Sequence, residues 1–493
     1  MPVSTLPLNP VHGPRGLPPL GNLLAFGKDP LGFLTRLRDD FGDAVTWSLG
    51  PRRSLFISHP EHIRELLAAR EDTYEILEIS WAFRQITGQS VILSKGDDWR
   101  RKRSLVQPTV RPRQVRSYGE AMVECAGAAA DGWRDGARID VRREMALITQ
   151  RIVLRTLFGN DLGQQTEALG DAMDVAGGAV GAELRGIGLF LPAWVRTPSR
   201  RRLLAAVAII DGEVHRLIGE RRNRIAAGRH DRIATEREDP IAAERQDSTG
   251  PRRQDVTGTE ERPGPAHPAQ ERDDLLTRLL AARDEEGRPL SPREVRNEAV
   301  TLWAAGHETT STALTWAFYL LSRAPEARAR LDAELQDVLA GRPPAIDDYE
   351  RLTWTQQIVK EAMRLYPPVW LIPAVAREGA TLGGTRIPAG TIVWCSTWTT
   401  HRDPRWFPSP DRFRPERWSA DAPDAVPDHA WYPFGGGPRT CLGARFAQVE
   451  AALVLATLAQ RCRLDLSDAE VQPCARLLLQ PATPLHATVR RVN

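Results

Sequence analysis

Cysteine is scarce in this chain. Cys125, Cys395, Cys441, Cys462 and Cys474 are an odd, scattered set among 493 residues, with no Cys-x-x-Cys pair. That count excludes a disulfide framework and a cysteine-rich zinc site, and with no secretory run beside it a reducing cytoplasm is the expected setting. Long apolar runs are missing too. The first dozen residues hold nothing like the roughly 20 apolar residues of a spanning helix, so no transmembrane anchor is expected. Charge of one sign is not in excess: 66 basic against 63 acidic residues give a net charge of +3. No global basic field argues for nucleic acid. Between Gly228 and Gln270 there is no Phe, Trp or Tyr, and the aliphatic residues beyond alanine are Ile233, Ile241 and Val256. Such a segment buries too little apolar surface to order itself, and residues 228–270 read as a disordered surface insertion between helices.

The remainder is 42% hydrophobic and 26% charged overall, an ordinary globular composition. Residues 1–22 form a proline-rich N-terminal arm, stiff and extended through Pro14-Arg-Gly-Leu-Pro-Pro-Leu-Gly-Asn22. Helical spacing over Asp29–Asp39 and His59–Ala69 alternates with strand-like Ala44–Leu49 and Ser54–Ser58, which predicts a small sheet near the N-terminus. From Trp99 to Ala227 the spacing is helical almost throughout. Ser291-Pro292-Arg293-Glu294 has the form of a helix start, with Ser as N-cap, Pro at the first helical position and Glu closing a capping box. No proline follows before Pro325, so a helix of roughly 30 residues and about 45 Å is expected. Further helices are expected at Pro325–Leu339, up to Tyr366 and over Ala444–Leu458, with a strand at Thr391–Cys395. The chain therefore reads as mainly α, a large helical domain with a small β-rich lobe, in one continuous domain over residues 1–493.

Four motifs carry chemistry. The first is Phe434-Gly-Gly-Gly437-Pro-Arg439-Thr-Cys441-Leu-Gly443. Glycines let the backbone approach a flat ligand and aim N–H groups at the sulfur, and the following helix start favours thiolate. Arg439 suits an anionic group beside it. The second is Ala305-Gly306-His307-Glu308-Thr309-Thr310, inside the long helix. A mid-helix glycine costs about 1 kcal/mol relative to alanine, and an acid–alcohol pair is costly in a dry core, so both need a purpose. His307-Glu308 is not a zinc motif, because Ser311 stands where a second histidine would be. The third is Glu361-Ala-Met-Arg364, an i,i+3 pair, together with Pro415-Glu416-Arg417. The fourth is Trp99-Arg-Arg-Lys-Arg103, which puts an indole N–H and a guanidinium on one helix face, both suited to a carboxylate. By itself this last string also reads as a solvated basic face.

Together these motifs resemble the cytochromes P-450, the heme-thiolate monooxygenases, in their soluble bacterial form. The resemblance spans nearly the whole chain apart from residues 228–270. It implies the cytochrome P-450 fold and one heme b (iron protoporphyrin IX) held by Cys441 as metal ligand. It implies a cofactor-binding set of Cys441, Arg439, Trp99, Arg103, Phe434, Gly437, Gly443, Ala305 and Gly306, with Ala305 and Gly306 leaving room for oxygen. Thr309 and Glu308 become the catalytic pair that hydrogen-bonds and protonates dioxygen. Glu361, Arg364 and Arg417 become a buried triad that locks the cysteine loop. Relatives often carry a basic residue where this chain has Ala374, with Arg377 three residues later as a substitute that the sequence leaves open. Where the family builds its pocket, this chain has Trp81, Phe83, Ile86, Phe190, Trp303, Trp370, Leu371 and Leu478; each could equally be plain core.

The implied activity is hydroxylation of a large apolar substrate, a terpenoid or carotenoid or a fatty acyl compound, with molecular oxygen as cosubstrate. With no flavin or ferredoxin module in the chain, electrons are expected from a separate ferredoxin or flavodoxin and its NAD(P)H-dependent reductase, with the protein acting as a monomer. Two rivals stand beside this: a peroxide-driven or hydroperoxide-isomerising enzyme of the same fold, and a non-catalytic heme sensor. Glu308-Thr309 argues against both.

Overall fold

A computed structural model describes residues 6–69, 73–77, 81–159, 165–185, 188, 191–238, 274–422, 426–466 and 470–492. The helices are α1 (Leu23–Lys28), α2 (Pro30–Phe41), α3 (Pro60–Ala68), α4 (Trp81–Thr87), α5 (Gly96–Val106), α6 (Pro112–Gly132), α7 (Val141–Phe158), α8 (Gln165–Arg185), α9 (Pro198–Glu238), α10 (Leu275–Ala281), α11 (Pro292–Ser322), α12 (Pro325–Leu339), α13 (Thr353–Leu365), α14 (Thr397–Thr400) and α15 (Ala444–Arg461). The strands are β1 (Val11–His12), β2 (Ala44–Leu49), β3 (Arg52–Ile57), β4 (Tyr74–Ile76), β5 (Arg138–Asp140), β6 (Ile372–Ala376), β7 (Thr381–Leu382), β8 (Thr385–Arg386), β9 (Ile392–Cys395), β10 (Cys462–Leu466), β11 (Pro473–Ala475), β12 (Leu479–Pro481) and β13 (His486–Arg491).

The long helix is α11, with 31 residues. Its start follows the local chemistry: the Ser291 hydroxyl accepts from the Glu294 N–H, the Glu294 carboxylate accepts from the Ser291 N–H at 2.7 Å, and Pro292 is in the first turn. From Thr310 to Leu321 every residue is buried, so this half runs through the middle of the helical body with α7, α13 and α15 around it. Ile152 and Val153 of α7, Leu453 and Val454 of α15, and Leu314 and Trp316 of α11 share one apolar core. Burying side chains of this size contributes about 1.5–3 kcal/mol each before the entropy of ordering them is charged.

The β-rich lobe is a six-stranded mixed sheet in the order β1-β2-β3-β9-β6-β4. β2 and β3 form a hairpin with Ala44 opposite Ile57 and Leu49 opposite Arg52, turned at Gly50 with φ of +58°. β9 runs parallel to β3, and β6 antiparallel to β9. One face packs on α1 and α2 through Phe26, Phe33, Trp47, Trp370 and Trp394. A strand expected from Ser54 begins two residues earlier, at Arg52, because the hairpin register extends to the turn. Of the expected insertion, residues 228–238 continue α9, which runs to Glu238. Arg and Glu have good helix propensity and prolong a helix that is already nucleated. Residues 239–270 lie outside the described part.

Candidate functional site

The cysteine loop is built by its glycines. Gly435 and Gly437 have φ of +68° and +61°. A Cβ on Gly437 would sit 1.9 Å from the Leu67 carbonyl oxygen of α3, so only glycine fits there. The Phe434 carbonyl accepts from the Cys441 N–H at 2.9 Å and closes the loop. Cys441 exposes surface, yet burial pushes its thiol up while the Gly443 N–H and the Arg103 guanidinium pull it down. Exposed surface on a group that protein walls off from bulk water means that the sulfur faces an internal recess.

α11 leaves part of its own surface uncovered at mid-length. Trp303 and His307 are buried, but Ala305 between them is exposed, and Glu308 and Thr309 are partly so. A helix buried along its flanks exposes surface at mid-length only where it lines a cleft. The Thr309 hydroxyl donates to the Ala305 carbonyl at 2.6 Å, closing on its own helix. Gly306 also packs against a neighbouring helix. A Cβ there would lie 3.1 Å from Val153 of α7, so this glycine lets α7 and α11 approach, and Ala305 is the small residue on the cleft.

At the rim, Arg439 lies over the Trp99 ring at 4.6 Å and donates to the Ser94 carbonyl at 2.6 Å and the Ile92 carbonyl at 3.3 Å. Arg103 stands 5.7 Å from the same ring and donates to the Thr440 carbonyl at 3.0 Å. The backbone tied to Arg439 is also held from α11, where buried Glu298 accepts from the Val91 N–H at 2.9 Å. Two guanidiniums and an indole thus converge beside the cysteine loop, and the bonds just named go to carbonyl oxygens. Arg377 is turned to Glu75 at 3.9 Å, and Ala374 lies within β6 opposite Val393 and Ile76.

Behind the loop, Glu361 is fully buried and saturated. It accepts two bonds from Arg364 at 2.8 and 2.9 Å, one from Arg417 at 3.1 Å, one from the Trp418 indole at 2.9 Å and one from the Arg414 N–H at 3.0 Å. Arg364 also donates to the His401 and Pro410 carbonyls at 2.8 and 2.6 Å. The His401 ring in turn accepts from the Tyr432 N–H at 3.0 Å, two residues before Phe434. His401 is held neutral by burial and by Arg364 and Arg402. The expected triad is therefore the centre of a larger network that passes through His401 to the loop. His401 stands in no motif of its own, and Trp418, which closes the Pro415-Glu416-Arg417-Trp418 stretch, carries no role that the spacing alone would assign.

A further residue was missed. Glu450 of α15 is fully buried, and neither its carboxyl oxygens nor the Thr310 hydroxyl has a well-formed hydrogen bond. Burial pushes this carboxyl far up, with Thr310 opposing, which favours its protonated form between α15 and α11. Its position in an apolar helix repeat was the available signal: a charged residue among Val449, Ala451 and Ala452.

Of the expected pocket residues, Trp81 lies under Arg200 at 4.6 Å and Arg196 at 5.5 Å. Arg200 donates to Glu183 at 2.7 Å and to the Pro192 and Val195 carbonyls, and Glu183 accepts from the Ala82 N–H at 3.0 Å. One buried ion pair therefore joins α4, the end of α8, the start of α9 and the link between them. Phe83 and Leu371 are partly exposed, Ile86 and Leu478 are buried, and Phe190 lies outside the described residues. Trp303 and Trp370 depart from expectation. Trp303 has no exposed surface and stacks on His307, and Trp370 packs in the aromatic cluster of the sheet with its indole donating to the Arg476 carbonyl at 3.0 Å. Both are core.

These residues fit a heme-thiolate group. A recess-facing cysteine on a glycine loop, a small residue opposite it and a cationic rim meet the needs of a flat, iron-containing, dianionic cofactor. The comparisons agree. The cytochrome P-450 family model matches residues 11–489. Cyclooctatin synthase of Streptomyces melanosporofaciens is 34% identical over 454 residues, 92% of this chain and 89% of the relative. Cyclooctat-9-en-7-ol 5-monooxygenase of the same organism is 32% identical over 92% of this chain and 88% of the relative. Pentalenene oxygenase of Streptomyces avermitilis is 33% identical over 94% and 93%. The chain belongs to the cytochrome P-450 family and is a monooxygenase.

Proposed function

We propose that the protein hydroxylates a large, cyclic, apolar substrate of the terpenoid class, with heme b held by Cys441 and electrons delivered by a separate ferredoxin or flavodoxin and its NAD(P)H-dependent reductase. The observations that carry the reading are Cys441 exposed on its glycine loop and the surface that α11 leaves uncovered at mid-length, at Ala305 and Thr309. Apolar, partly exposed Phe83, Leu302, Ala304 and Leu371 favour a greasy substrate. Pentalenene and cyclooctat-9-en-7-ol, for which two relatives are named, are by their names an alkene and an alkenol.

Heme, when bound, supplies the electron-transfer and dioxygen chemistry, and a thiolate ligand favours O–O cleavage. The chain's own residues do the rest. Arg439, Arg103 and Trp99 would hold the propionates. The Glu361 network keeps the cysteine loop in register. Thr309 presents a hydroxyl to the cleft, and Glu308, pushed up to about 7 by burial and Asp174, gains and loses a proton at working pH.

The test is a titration of ferric protein with cyclic terpenoids, carotenoids and fatty acids, following the Soret band. A saturable low-spin to high-spin shift with cyclic terpenoids, followed by hydroxylated product in the reconstituted system, is expected. Shifts confined to fatty acids would reject the substrate class.

A further inference from the structure

Three consecutive residues of α11 grip one short segment of chain. Arg296 donates to the Ile86 carbonyl at 2.9 Å. The Asn297 side chain closes on Gly88, where φ is +56° and a built Cβ would lie 2.3 Å from its Oδ1. The Glu298 carboxyl accepts from the Val91 N–H on both oxygens, at 2.9 and 3.2 Å. All three side chains are buried, Glu298 completely. Burial pushes the Glu298 carboxyl up to about 8, against the Val91 N–H and Lys102. The fold therefore bears a desolvation cost to keep an acid at this point.

The same segment is held from a second side by buried Lys102 of α5. Its ammonium donates to the Gln89 carbonyl at 2.7 Å, the Ser94 hydroxyl at 2.9 Å and Asp98 at 2.8 Å, which occupies its three protons. Within the segment, the Leu93 and Ser94 N–H groups both donate to the Ser90 carbonyl, at 3.0 and 2.8 Å, and close a tight turn. That turn offers its carbonyls to the cysteine loop. Arg439 donates to Ser94 at 2.6 Å, to Ile92 at 3.3 Å and to Val91 at 3.5 Å. These bonds leave from two guanidinium nitrogens and fix the plane of the group, 4.6 Å from the Trp99 ring. Carbonyl oxygens are neutral, so they aim the cation without cancelling its charge as a carboxylate would.

We propose that Glu298 is a positioning residue: it braces residues 88–94 as a carbonyl cradle, and the cradle aims Arg439 at the cofactor carboxylates. This rests on the heme reading above. Glu298 acts through the backbone, by way of Val91. A guanidinium held in place stabilises the reduced, more negative state of the cofactor over the oxidised one. Loosening the cradle therefore lowers the reduction potential. Removing the Glu298 charge by itself would leave the potential unmoved or raise it, so the sign separates bracing from simple electrostatics.

The test measures reduction potential and heme content of the purified holoenzyme in E298L, E298Q, G88A, R439K and the double variant E298L/R439K. E298Q keeps an acceptor for the Val91 N–H and should match wild type. E298L removes the acceptor, and G88A disturbs the cradle with no change of charge. Each should lower the potential, shifting the ferric-to-ferrous equilibrium several-fold, with the thiolate-type spectrum of the reduced carbon monoxide complex retained. R439K keeps the charge but not the fork, and E298L should add nothing in that background. An unmoved or raised potential in E298L and G88A, a shift in E298Q as large as that in E298L, or a full E298L shift on top of R439K overturns the proposal. If E298L does not retain heme, G88A decides by the same readings. A shift in R439K with none in E298L or G88A overturns the positioning role alone. R439K indistinguishable from wild type in both readings would strike the propionate assignment of Arg439, and the proposal with it.

Discussion

At the residue scale, the cysteine loop allows little variation. Cys441→Ala is expected to abolish the thiolate-type absorption of the reduced carbon monoxide complex; an unchanged spectrum would refute the ligand assignment. Gly437→Ala meets two obstacles, a left-handed φ and a Cβ 1.9 Å from a backbone oxygen. Neither relaxes without moving α3, so heme incorporation should fall to a small fraction of wild type, read from the ratio of Soret to protein absorbance. Glu308→Gln keeps the hydrogen-bonding size but cannot carry a proton, and should slow coupled turnover on the order of 10²-fold, in line with the loss of one general acid. Its pH dependence has a definite sign. The carboxyl is protonated below about 7 and charged above it, so wild-type coupling should fall as pH rises through that value while the residual rate of Glu308→Gln stays flat.

At the element scale, two buried ion-pair clusters tie different parts of the fold. The Glu361 network joins α13 to the stretch before the cysteine loop, with both Glu361 and Arg364 fully buried. Removing one partner strands the other: Arg364→Leu should cost about 3–5 kcal/mol and release heme on mild heating. Arg200 and Glu183 instead clip a link between two helices to α4. Arg200→Gln should raise both the association and the dissociation rate of an apolar ligand in stopped-flow Soret measurements, with the maximal turnover rate little altered, because Arg200 lies outside the catalytic set. Unchanged ligand rates would show that the clip does not govern access.

At the scale of the whole molecule, buried acids shape stability against pH. Glu450 is held far above its ordinary value by burial in the core between α11 and α15. The folded state keeps a proton that the unfolded chain releases above its ordinary carboxyl value. The linked stability is present at low pH and declines as pH rises past about 4.3, the unfolded glutamate value, toward the raised folded one. Glu450→Gln removes that term, so its denaturation midpoint should fall less steeply with pH than that of wild type between pH 5 and 8. Among the described residues no helix is long and apolar enough to cross a membrane.

Much of the architecture was legible from local rules. The capping box at Ser291, the proline at 325 and the run between them specify α11, and Pro325–Leu339 is a helix with those very bounds. Cap chemistry and periodicity act within a few residues, so a linear string carries them. The motifs at Cys441, Glu308, Glu361 and Trp99 were visible for the same reason: each needs fixed spacing on one turn or one helix face. Tertiary packing decided what spacing does not encode. Which side of Gly306 is crowded depends on α7, and whether Trp303 and Trp370 line a cleft or fill a core depends on neighbours far along the chain. Gln480 meets Glu308 across 172 residues, as His401 meets the cysteine loop from a segment with no motif of its own. Hydrogen bonds and burial are set by proximity in space, and only the folded chain brings those groups within reach of one another.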